Sequence, residues 1–381
     1  MSETQKHTKP NVPNLRFPGF EGEWEKQSLG EVGEPFIGLT YSPSDVVSEG
    51  GVIVFRSSNI QNGEIDYSDI VRVNKKLKES IVTRKDDLVI CARNGSPRLI
   101  GKNALLKESD ANQTFGAFML VYRSPENHFI HQLLSTKRYY SQVSENLGAR
   151  INQITTANIK DFEFFFPKGK DERDKISKFL DFIDQRIAIQ NRVIERYESL
   201  IKALAEKLML IDCQEVKLGE ISSIYQPTTI SSNMLKQDGK YSVYGANGII
   251  GFYDEYNHAT PQICIACRGS SCGAVNYSLP FSWITGNAMV INTDKYANIV
   301  NKRYLYHYLT LLDYTPLISG SGQPQIVRKP LQSLKIRLPE IGTQKSIAEA
   351  LDSISKKVNI EVDIRSKYMD SKRCLLSELF I

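Results

Sequence analysis

Two long stretches of this chain place apolar residues at alternating spacings of four and three. In the first they fall at Ile176, Leu180, Ile183, Ile187, Ile194, Tyr197, Ile201, Leu204, Leu208 and Ile211, and only Gln190 interrupts the stripe. Such an a/d pattern marks a helix that packs along one continuous seam. No Gly or Pro occurs between Ile176 and Ile211, so the pattern predicts a single helix of roughly 54 Å at the usual rise. The second stretch runs from about Gln344 to Phe380 and keeps Ile347, Leu351, Ile354, Val358, Tyr368, Leu375 and Leu379 in phase. Glu361, Arg365 and Lys372 take its remaining seam positions, where a polar residue fixes register or faces another partner. Neither helix can bury its seam alone, so the two are expected to pack on each other.

Between these stretches the texture changes. Residues 20–167 and 213–339 read as short segments rich in Val, Ile, Tyr and Phe, cut by Gly, Asn, Asp and Pro. That is the pattern of mixed β-structure with short helices. The two regions also repeat each other in order. Leu29-Gly30-Glu31-Val32 is answered by Leu218-Gly219-Glu220-Ile221, and Leu88–Ser96 (LVICARNGS) by Ile263–Ser271 (ICIACRGSS). Phe115–Val121 parallels Thr285–Ile291, and Gln153-Ile154 before Pro167 parallels Gln325-Ile326 before Pro339. Ile176–Ile183 then matches Ile347–Ile354. A repeat this long describes a duplicated domain rather than a solenoid.

The organisation that follows is a polar tail (1–19), a globular domain (20–167), a long helix (168–212), a second globular domain (213–339) and a second long helix (340–381). The predicted fold class is α+β, with two duplicated globular domains separated by helices forming an antiparallel coiled coil. Antiparallel pairing would set the globular domains at opposite ends of a rod.

Of the 381 residues, 41% are hydrophobic and 24% charged, which excludes global disorder. No run approaches the length that spans a membrane, and the polar N-terminal stretch lacks the apolar core of a secretory signal. With six cysteines, a reducing cytoplasm is expected rather than a disulfide scaffold. The net charge of +5 lies mostly outside the charge-balanced helices. It permits a polyanionic partner without demanding one.

Taken together these residues resemble the specificity subunits of Type I restriction–modification enzymes. Trp24–Val32 (WEKQSLGEV), the LVICARNGS stretch and the Phe166-Pro167 passage into the long helix carry the resemblance, and their repetition strengthens it. The resemblance implies two target-recognition domains, each reading half of a bipartite double-stranded DNA site. It also implies helices that set the unread spacer and dock methyltransferase subunits, two of them expected, with restriction subunits as further partners. Adenine methylation and ATP-dependent cleavage would belong to those partners. So would S-adenosylmethionine, ATP and Mg; no cofactor or metal is expected in this chain.

The chemistry visible in the residues agrees with a reader rather than a catalyst. Gly101-Lys102 and Gly239-Lys240 are not followed by the Ser or Thr of a phosphate-binding loop. The five histidines show no zincin spacing. Cys264, Cys267 and Cys272 resemble half a zinc site, yet Val89 and Ala92 stand where the repeat has Cys264 and Cys267. Positions that accept Val and Ala read as small apolar core.

Arg93, Asn94 and Ser96 close one apolar run, as Arg268, Ser270 and Ser271 close its counterpart. Arg suits guanine, Asn and Gln suit adenine, and Ser suits a base or a phosphate. The alternative is a strand end whose Arg pairs with a carboxylate. The glycine-opened loops with Arg150, Asn152 and Gln153, and with Gln323 and Gln325, are further candidates, as are Arg56, Ser57 and Asn59. Subunit or coiled-coil contact is assigned to Ile176, Leu180, Ile183, Ile187, Ile194, Ile201, Leu204 and Leu208, and to Ile347, Leu351, Ile354, Val358, Leu375 and Leu379. A coiled-coil adaptor whose globular domains bind proteins or small ligands is the competing reading. A self-sufficient methyltransferase or nuclease is disfavoured by the missing motifs.

Overall fold

In a computed structural model the described residues are 11–147, 152–208, 213–320 and 322–381. Two uninterrupted helices of 39 residues, Lys170–Leu208 and Ile341–Leu379, dominate the secondary structure. Contacts divide the chain into two compact units, Met1–Asn191 with Ile364–Ile381, and Arg192–Asp363. The division falls inside both helices rather than at their ends, because each unit holds a segment of each helix.

In the first unit Ile176, Leu180 and Ile183 share a core with Leu379 and Phe380, and Ile187, Leu375 and Leu376 pack against it. In the second unit Ala205 joins Ile347, Ala348 and Leu351, with Ile201, Leu204 and Leu208 alongside. The start of one helix therefore meets the end of the other, which is antiparallel pairing. Ile194 is buried, and Ile354 and Val358 are half-buried at their seam positions. The polar seam residues Arg365 and Lys372 are turned inward. Lys372 Nζ donates to both oxygens of Asp184 at 2.6 and 2.7 Å, and Arg365 Nη1 donates to Asn191 Oδ1 at 3.2 Å. These two are register-fixing contacts within the pair.

The duplication is exact in topology over the central sheets. Strands Glu34–Ile37, Met119–Arg123, Leu88–Cys91 and Asn103–Leu105 form one antiparallel sheet in that order. Ser223–Tyr225, Ala288–Asn292, Ile263–Ala266 and Val275–Tyr277 repeat it. The continuous apolar run of Leu88–Cys91 follows from burial on both faces. Leu88 and Ile90 enter the core beside the long helices, while Val89 and Cys91 enter a second core with Ile53, Phe55 and Phe115. The sheet register aligns Met119, opposite Cys91, with Ala288, opposite Ala266. That is one residue away from the match suggested by the sequence of Phe115–Val121, because the pleat fixes which residues share a face.

The repeated Leu-Gly-Glu motif has a common physical cause. Leu29 and Leu218 are fully buried. A Cβ on Gly30 would stand 3.0 Å from Lys160 Cβ, and one on Gly219 3.1 Å from Gln332 Cβ, so glycine lets a short helix lie against the corner. Glu31 accepts from the Ser28 N–H at 2.6 Å and Glu220 from the Lys217 N–H at 3.0 Å, capping the turn.

A second repeated device fastens each sheet to its long helices. Asp181 accepts from Gln132 Nε2 at 2.9 Å and shares a 3.1 Å hydrogen bond with His128 Nδ1. Asp352, its counterpart, accepts from Arg303 Nε at 3.0 Å and pairs with His307 Nε2 at 2.7 Å. Both partners stand four residues apart on the short helices Asn127–Leu133 and Lys302–Thr310, one turn of a single face. Burial alone would raise the Asp352 pKa, but the bonds from Arg303 and His307 hold it below the usual carboxylate range.

The seam is expected to carry much of the stability. Leu180→Ala and Leu351→Ala should each cost about 2–5 kcal/mol through lost burial and a residual cavity. Lys178→Ala, on an exposed face, should stay within about 0.5 kcal/mol. Denaturant melts of the three variants check this; leucine variants as stable as the lysine variant would contradict the seam.

Candidate nucleic-acid interface

The strands Leu88–Cys91 and Ile263–Ala266 end in matching arginines. Arg93 forms an isolated antiparallel bridge with Gln153, and Arg268 forms one with Gln325. The Ile154 N–H donates to the Ala92 carbonyl at 2.9 Å, and the Ile326 N–H to the Cys267 carbonyl at 3.1 Å. Each globular unit thus joins the two loops that sequence spacing had marked separately. Both arginines are exposed, and among the described residues neither forms an ion pair.

In the first unit the loop is tied internally. Asn94 Nδ2 donates to Ser57 Oγ at 3.0 Å, and Asn94 Oδ1 accepts from the Ser96 N–H at 3.0 Å. Asn152 Nδ2 donates to the Gly95 carbonyl at 3.0 Å. Asn94, Ser57 and Asn152 therefore shape the loop, leaving Arg93 and Gln153 at its edge. The Arg93 guanidinium lies 4.9 Å over the ring of Phe118, a residue that the sequence pattern had not singled out. Arg150 lies outside the described residues.

Asn59 and Arg56, also candidates for DNA contact, have partners within the chain. Asn59 is 1% exposed; its Oδ1 accepts from the Arg56 N–H, and its Nδ2 donates to the carbonyls of Asp66 and Asp69. With both ends of its amide occupied in the interior, it is a structural turn residue. Arg56 pairs with Asp69, its Nη2 2.8 Å from Oδ2, which is the carboxylate-paired state that Arg93 and Arg268 lack.

In the second unit the Gly269 N–H donates to the Pro324 carbonyl at 3.0 Å, and Ser319 and Gln325 exchange main-chain bonds at 2.9 Å. Ser270, Gln323 and Gln325 are exposed and Ser271 half-buried. Cys264 and Cys267 are buried in different clusters, on opposite faces of their strand, so the two thiols cannot ligate one ion. Burial pushes the Cys264 thiol up to about 12.

A polar chain lies beside the strand end that carries Arg268, where Gln226 Nε2 donates to Cys267 Sγ at 3.1 Å. Gln226 Nε2 donates to the Gly286 carbonyl at 3.0 Å, and the preceding residue, Tyr225, shares a 2.8 Å hydrogen bond with His258 Nε2. His258 Nδ1 bonds Asn257 Oδ1 at 2.6 Å. Because that amide oxygen only accepts, Nδ1 must donate and Nε2 must receive the tyrosine proton. Burial lowers the His258 pKa.

These structural features define a class, a pair of like α+β units sharing two antiparallel helices. A family model described as the Type I restriction modification DNA specificity domain matches residues 21–198 and again 211–367. The chain belongs to that family. It is 30% identical over 125 residues to a putative type I restriction enzyme specificity subunit of Haemophilus influenzae, covering 32% of this chain and 31% of the relative. It is 33% identical over 129 residues to the EcoKI specificity subunit of Escherichia coli, covering 32% and 28%. The matched segment therefore spans about a third of the length of these relatives. A putative MjaX specificity subunit of Methanocaldococcus jannaschii aligns over 94% of this chain and 92% of its own length at 23% identity. The fold is shared with the crystal structure of a Type I S subunit from M. genitalium, at a TM-score of 0.68 and 19% identity, over 97% of this chain and 99% of that one.

The depressed pKa of His258 has a definite consequence. The native state binds fewer protons than the unfolded one, so this contribution is complete above the unfolded value near 6.5 and is lost as pH falls through the lower folded value. Wild-type stability minus that of His258→Gln should therefore shrink between pH 7 and pH 5 in paired denaturant melts. A difference that stays constant or grows would contradict the neutral-histidine assignment.

Proposed function

We propose that this chain is the DNA-sequence-specificity subunit of a Type I restriction–modification complex. Each globular unit reads one half of a bipartite double-stranded site. The long helices set the unread spacer and dock methyltransferase subunits, two of them expected, with restriction subunits as further partners. Adenine methylation, ATP-dependent cleavage, and the S-adenosylmethionine, ATP and Mg they require belong to those partners, in the cytoplasm. Among the described residues no helix is long and apolar enough to cross a membrane.

The observation that carries this reading is the main-chain Arg–Gln bridge at the same strand end in both units, Arg93 with Gln153 and Arg268 with Gln325, with both arginines exposed. An unpaired arginine can take the O6 and N7 of guanine together, and glutamine the edge of adenine. Arg93→Ala and Arg268→Ala test it in the assembled complex. Each substitution should weaken discrimination about 5- to 150-fold at one base pair, the equivalent of losing one bidentate contact. Each should also act in its own half-site only, as read by methylation of randomised targets. Unchanged preferences in both variants, or both half-sites altered by one substitution, would overturn the assignment.

A further inference from the structure

Phe118 is 57% exposed immediately before the strand Met119–Arg123, whose first four residues are buried. Leaving such a ring in water forfeits free energy that an apolar group of a partner recovers by covering it. Its place is set by main chain, because the Phe118 carbonyl accepts from the N–H groups of both Ala92 and Arg93, at 2.9 and 3.0 Å. The ring therefore lies as a plate beneath the Arg93 guanidinium, which among the described residues has no carboxylate partner. Ile37, two residues along the same face by its pairing with Leu120, is exposed as well.

The second unit holds a different residue at the same register. There the Cys267 N–H donates to the carbonyl of Asn287 at 3.1 Å, and Asn287 is exposed. Both copies thus keep Arg and Gln and change the neighbour from an apolar plate to an amide. Base edges in the major groove differ in those same terms. Thymine offers a methyl group to an apolar side chain, and adenine offers a donor–acceptor pair to an amide.

Resting on the DNA-reading role above, we propose that Phe118 is a specificity-determining residue that packs on a thymine methyl in the half-site of the first unit. The guanidinium and ring are 4.9 Å apart and successive base pairs stack about 3.4 Å apart, so this thymine lies one or two steps from the guanine read by Arg93. Asn287 supplies an amide contact at the corresponding place in the other half-site, which makes the two units read unlike sequences from one scaffold.

The test uses the full chain assembled with its methyltransferase subunits, on duplexes carrying its mapped target. Each thymine of both half-sites is replaced in turn by uracil, which removes only the 5-methyl group. One uracil in the first half-site should weaken wild-type binding about three- to tenfold, the scale of one buried methyl. Phe118→Ala should lose a similar factor on the thymine duplex and show no further loss on the uracil duplex. Phe118→Asn should behave likewise, and both should keep the second half-site's preferences, which reports a folded complex. A sequence-specific wild type indifferent to every uracil of the first half-site overturns the proposal alone, as does either variant retaining the full uracil penalty. A complex with no sequence preference removes the DNA-reading role and this proposal with it.

Discussion

Each long helix carries an apolar stripe that it cannot bury by itself, and the rest of the molecule is arranged around covering those two stripes. A seam of this length would hold two helices together in more than one register if every position were apolar. Lys372 with Asp184 and Arg365 with Asn191 remove that freedom in the first unit, since slipping either helix would leave charged or amide groups buried without partners. The sheets then dock through side chains of the same helices. Asp181 and Asp352 stand one residue after the seam leucines Leu180 and Leu351 and are each hydrogen-bonded by two side chains of a short helix at the edge of a sheet. Burial of the seam and placement of the sheets are thus consequences of one helical surface.

Each sheet in turn places the loop edge that carries Arg93 or Arg268. A strand buried on both faces has little freedom of position, and Arg93 and Arg268 project from the ends of two such strands. Short main-chain bridges to Gln153 and Gln325 then fix the neighbouring loop. The side chains that could touch a base sit on rigid supports, while residues around them can change without disturbing the core. Phe118 and Asn287 show such a change at one register.

Much of this was legible from the chain. The a/d periodicity located both helices, and the assigned seam residues are all buried or half-buried, because helical packing is local in sequence and leaves a periodic trace. The order of repeated motifs located the duplicated sheets for the same reason. What escaped depends on contacts far apart in sequence. Asn59 reads as a polar surface residue until the carbonyls of Asp66 and Asp69 close around its amide. Phe118 looks like part of a buried run, and only the sheet register puts it outside. Lys372 looks like a gap in the seam, since nothing near it in sequence announces Asp184, 188 positions away.

We propose that the two like units read two separate blocks of sequence on one DNA molecule. The most direct test is a methylation map of cellular DNA from cells expressing this chain with its methyltransferase subunits, compared with cells lacking the chain. The expected result is a new methylated motif made of two unlike specified blocks separated by an unspecified gap of constant length. A single contiguous motif, or no new motif from a complex shown to assemble, would contradict the proposal.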